Sequence, residues 1–190
     1  MSSNNEVTSK TLESGFRVLV EYDHAPESPR DWDNLGTVLL IDRCRYDFGD
    51  GRADYDELKA ISDDPNNIVL PVYMYDHSGI TINTSGFSCP WDSGQVGLIY
   101  VTKDKAIENW GKKILTKKVR EAAIKCLQSE VETLDQYLTG NVYGYIVYDP
   151  KGEEAESCWG FYGEADYCLS EGLAAAKHYE QKANPETNNC

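Results

Sequence analysis

Apolar and polar residues alternate along residues 15–23, GFRVLVEYD, with Phe16, Val18 and Val20 on one side, which predicts a half-buried strand. The stretch that follows, HAPESPRDWDNLG, carries two prolines, a glycine and several acids, the composition of a loop. The continuous apolar run TVLLI at 37–41 predicts a central strand, and residues 47–51 a turn. Tyr55, Leu58 and Ile61 share one side of a short helix over 53–61, closed by a turn at 64–67. Residues 68–75 and 80–84 read as two strands joined by Asp76-His77-Ser78-Gly79, residues that tolerate hairpin dihedrals. A loop over 86–94 then leads to a strand over 95–101, with Val96, Leu98 and Tyr100 on one face.

The period changes after residue 115. Val119, Ala123, Leu127, Val131, Leu134 and Leu138 recur at three and four residues, an amphipathic stripe on a helix capped by Thr116 and stopped by Gly140. Residues 142–148 alternate again as a strand, residues 149–152 form a turn, and 156–161 supply the partner strand. A last helix is expected over 170–181. Six or seven strands and two or three helices, without strict strand–helix alternation, predict an α+β fold. Its sheet is mostly antiparallel, with the long amphipathic helix and one or two shorter helices packed on one face. Tyr73, Tyr75, Tyr143, Tyr145 and Tyr148 fall on these strands, where cross-strand packing is their ordinary use and an outward contact face the alternative.

A chain of 190 residues, 41% hydrophobic and 26% charged, is expected to form one domain, 1–190, with polar tails at 1–13 and 183–190. A chain of this length buries enough surface to fold without metal or disulfide. No stretch approaches the ~18 apolar residues of a membrane span, and MSSNNEVTSK lacks the apolar core of a signal peptide, so no membrane association is expected. The six cysteines form no CxxC pair and are read as reduced thiols in a cytosolic setting.

The charge is −14, and it is uneven. Lys103, Lys105, Lys112, Lys113, Lys117, Lys118, Arg120 and Lys125 gather in a short segment of net positive sign, and the chain on either side is strongly acidic. This field repels nucleic acid backbone and anionic lipid, so direct nucleic acid binding is not expected. It suits either a solvated, soluble surface or an acidic face that engages a basic groove on a partner.

Three loops carry candidate chemistry. The first offers Arg30, Asp31, Trp32 and Asp33: an aromatic anchor with one cation and two carboxylates, or a plug over the sheet. The second offers Asp76 and His77, a base and its orienting carboxylate, or a well-formed turn. The third, FSCPWDSGQVG, offers Cys89, Trp91 and Asp92. Cys89 is a nucleophile if His77 lies near it, with Asp76 or Asp92 orienting the imidazole; a small buried thiol is the ordinary alternative. Trp32, Asp76, His77, Cys89, Trp91 and Asp92 are expected to converge near one end of the sheet. His24, His77 and Cys89 have metal-binding atoms but no paired-ligand spacing, so neither metal nor cofactor is expected. P-loop, GxGxxG and GxSxG motifs are absent.

The segments PRDWDNLG, LPVYMYDHSGITI, FSCPWDSGQVGLIYV, LDQYLTGNVYGY and SCWGFYG together resemble a family of small proteins encoded by bacteriophages and prophages. The likeness spans residues 29–163. It implies a phage setting and a host-cytoplasm address, and it transfers no catalytic residue. Three readings follow. The first is an acidic phage accessory protein that binds and blocks a host protein with a basic surface, such as a restriction, CRISPR or other immune component. The second is a hydrolase or transferase using Cys89 and His77. The third is a module that sequesters a nucleotide-like ligand, with Trp32 or Trp91 stacking the base and Arg30 holding phosphate. The oligomeric state is left open.

Overall fold

The structure is a computed structural model that describes residues 5–183. In chain order the strands are β1 (Glu6–Thr11), β2 (Arg17–Tyr22), β3 (Thr37–Ile41), β4 (Gly51–Ala53), β5 (Asn67–Asp76), β6 (Ile80–Asn83), β7 (Ser93–Thr102), β8 (Val142–Tyr148) and β9 (Glu154–Tyr162). The helices are α1 (Tyr55–Asp63), α2 (Lys103–Asn109), α3 (Lys117–Leu138) and α4 (Ala165–Ala183), with a short 3-10 turn at Pro29–Asp31. This is the α+β content the sequence predicts. The strands, however, divide between two sheets, and the chain between two compact units.

One unit takes the chain up to Glu27 and again from Gly140. Its sheet is antiparallel throughout, in the order β1-β2-β8-β9. Residues 6–11, read as tail from their polar composition, are in fact an edge strand; their side chains are mostly exposed and their backbone pairs with β2. Val18, Val20, Tyr143, Tyr145 and Val147 share one face and bury Cys168 and Ala176 of α4. Close approach of that helix depends on Gly172, where a Cβ would stand 2.6 Å from Val18 Cγ1 and 3.0 Å from Tyr145 Cγ.

Burial pushes the Tyr145 phenol up to about 12, helped by the neighbouring Glu156 carboxylate. Burial likewise lifts the Cys168 thiol to about 12, with Cys158 contributing. Both groups are held neutral by the fold. Their contribution to stability is therefore complete below their ordinary pKa values of 9 and 10, and it is lost as pH rises towards 12. Urea midpoints measured between pH 8 and pH 11.5 should fall steadily above pH 9. A flat profile would contradict the burial of these two groups.

The other unit spans Ser28–Thr139. Its sheet runs β4-β3-β7-β5-β6, antiparallel except for the β3–β4 pair. The predicted stripe of α3 is buried at Val119, Ala123, Leu127, Val131 and Leu134 against Val38, Leu40, Ile68, Val72, Ile99 and Val101. Helices were expected on one face only, but α1 crosses the other face of this sheet, over Ile41 and Leu98. A crossover is needed between β4 and β5, because the two strands run in the same direction. At the centre, a Cβ on Gly97 would sit 2.1 Å from the Leu39 carbonyl oxygen, so β3 and β7 pair closely only with glycine there. Among the described residues no helix is long and apolar enough to cross a membrane.

Candidate functional site

The PRDWDNLG loop is held by a partly buried ion network. Arg30, whose side chain is 8% exposed, donates Nε to Asp50 Oδ1 at 2.9 Å and Nη2 to Asp50 Oδ2 at 2.5 Å. Its Nη1 donates to Glu130 Oε2 at 3.2 Å, and its Nη2 also donates to the Gly36 carbonyl at 2.8 Å. Burial works against this charge, but the hydrogen bonds and charges of Asp50 and Glu130 outweigh it and keep the Arg30 pKa above its ordinary value. Glu130 Oε1 also accepts the Leu35 and Gly36 amides at 2.8 and 3.1 Å, and Asp50 Oδ2 accepts the Val38 amide at 2.6 Å. The guanidinium is thus engaged by the fold and does not face solvent as a ligand cation. Asp31 and Asp33 are exposed. Trp32 stands 41% exposed beside Pro29, Ser129 and Thr133.

A second cluster forms where the β3–β4 loop, the β5–β6 turn and the β6–β7 loop meet. The ladder pair Tyr75↔Ser93 closes its base, and the Asp76 amide donates to the Asp92 carbonyl at 2.8 Å. The turn at 76–79 is tight: Ser78 takes a left-handed φ of 60°, and the His77 amide donates to the Gly79 carbonyl. Asp76 Oδ2 accepts the Tyr46 hydroxyl at 3.1 Å and pairs with Arg45. Asp92 Oδ2 lies 3.5 Å from His77 Nδ1 and accepts the Cys89 thiol at 3.7 Å. The Tyr75 ring centroid lies 5.8 Å from that of Phe87 and 6.1 Å from that of His77. Trp91 projects from this framework 91% exposed.

The structure therefore brings together Asp76, His77, Cys89, Trp91 and Asp92. Trp32 does not join them. It precedes β3, whose first residue pairs with Tyr100, while the cluster flanks Ser93 at the other end of β7. At ~3.3 Å per residue the two ends are roughly 20 Å apart. Within the cluster the order is thiol, carboxylate, imidazole, with Asp92 in the middle. Thiol activation uses thiol, imidazole, carboxylate, so that the imidazole takes the proton.

Sequence reasoning missed Arg45, Tyr46, Asp50, Glu130 and Asp135. Asp135 Oδ1 accepts Thr81 Oγ1 and the Ile82 amide, each at 2.7 Å, pinning β6 to α3. A carboxylate inside a helix with an otherwise readable apolar stripe was the available signal; its distant partner was not. Among the described residues, no group of three or more His, Cys, Asp or Glu side chains is arranged to hold a metal ion. The chain matches no protein-family model, no curated protein and no solved structure.

Proposed function

We propose that this chain is an acidic bacteriophage accessory protein that binds a basic surface of a bacterial host protein in the host cytoplasm and blocks it, a component of an anti-phage defence system being the target class. The observation that carries this reading is Trp91, a large aromatic side chain held almost fully in solvent by a hydrogen-bonded loop. An indole this open is available for contact, and binding surfaces use tryptophan as an anchor. Asp92 beside it, on a chain of charge −14, favours a cationic counterpart.

The two alternatives have less support. Cys89 and His77 do approach one carboxylate, but in an order that leaves the thiol proton facing Asp92. The nucleotide reading needs Arg30 for phosphate, and that side chain is engaged by Asp50 and Glu130. If the protein acts by binding alone, Cys89→Ala and His77→Ala should each retain partner affinity and inhibition within about threefold, the scale of an energetically near-neutral contact. The check is titration of each purified variant into the captured host protein. Loss of inhibition in either variant, with folding and binding intact, would transfer the case to catalysis.

A further inference from the structure

Resting on the binding reading above, we infer that Trp91 and Asp92 form an anchor for an arginine side chain of the partner. The protein already builds one such arrangement from its own residues, on the turn whose Asp76 amide bonds the Asp92 carbonyl. The Arg45 guanidinium lies 4.9 Å over the Tyr46 ring while it pairs with Asp76, an aromatic face and a carboxylate shared by one cation. Trp91 and Asp92 offer the same two elements, adjacent in sequence and both open to solvent. Trp91 presents open indole, the strongest aromatic partner for a cation. The Asp92 side chain is 40% exposed, and its Oδ1 accepts no hydrogen bond among the described residues, while Oδ2 has only the two long contacts to His77 and Cys89.

The anchor is also preorganised. The Asp76 amide holds the Asp92 carbonyl, the Ser93 hydroxyl holds the Cys89 carbonyl, and the β5–β7 ladder begins at the next residue. Little ordering is left for binding to supply. The chemistry selects arginine over lysine. A planar guanidinium stacks on indole and forks onto a carboxylate at once, whereas an ammonium presents a hydrated point charge.

The test uses the full chain and two capped peptides of equal charge, hexa-arginine and hexa-lysine, with the Trp91 indole N–H followed by NMR and assigned through Trp91→Phe. Hexa-arginine should shift the Trp91 and Asp92 signals and bind at least about fivefold tighter than hexa-lysine. Asp92→Asn should weaken the arginine peptide about tenfold and the lysine peptide less. Equal affinities, or arginine binding that leaves the Trp91 signal unmoved, would overturn the anchor. The two levels separate cleanly. If host-protein capture needs Trp91 but lysine serves as well as arginine, the anchor fails and the binding reading stands. If the arginine peptide seats on Trp91 while no host protein is bound, the anchor stands and the binding reading fails.

Discussion

Replacing Glu130 by alanine is expected to destabilise the protein by about 2–3 kcal/mol, the cost of leaving shielded donors without their acceptor. Glu130 Oε2 receives Arg30, and Oε1 receives the amides of Leu35 and Gly36. Its side chain is 11% exposed and that of Arg30 8%, so water cannot readily replace what is lost. The variant would leave the largely shielded guanidinium with Asp50 and the Gly36 carbonyl, and two amides without their acceptor. Glu130→Gln should lie between, because an amide oxygen still accepts from the backbone but cannot balance the charge. Urea unfolding of the three proteins at neutral pH is the check. A loss below about 1 kcal/mol for the alanine variant, the level of an exposed pair, would mean that the network does not hold the loop.

The second large effect is on binding. Trp91→Ala should weaken the complex with the host protein by about 2–4 kcal/mol, or roughly thirty- to a thousandfold, as for a central anchor residue. Stability should not change, since the side chain is 91% exposed and buries little on folding. The contrast with Glu130 is the useful part: one substitution alters folding, the other partner affinity. Surface plasmon resonance and thermal unfolding on the same preparation separate them. Unchanged affinity in Trp91→Ala would remove the loop from the interface.

Local signals in the chain were legible, and long-range pairings were not. The α3 stripe could be read because five side chains buried at three- and four-residue spacing need nothing beyond their own helix. The loops at 76–79 and 86–94 were visible from their turn residues. β1 was hidden because an edge strand needs only backbone partners and keeps polar side chains. α2 was hidden among the lysines of a seven-residue helix capped by Thr102. The division into two sheets could not be read at all, because β2 pairs with β8 across most of the chain. The same limit shaped the site. Asp76, His77, Cys89 and Asp92 meet because one ladder joins their loops, and Trp32 lies elsewhere because β3 meets the opposite end of β7. Arg30 had the residue type of a ligand cation, yet its partner Glu130 lies one hundred residues away and turns it into a structural element.

The proposed function has an acidic protein occupy a basic surface through the Trp91 loop. Affinity capture from bacterial lysate, with wild-type and Trp91→Ala baits side by side at low and high salt, tests that most directly. One host protein should be held stoichiometrically by the wild-type bait at low salt, released at high salt and not retained by Trp91→Ala. An empty bait, a partner retained equally by both proteins at high salt, or a bound nucleotide with no protein partner would contradict it.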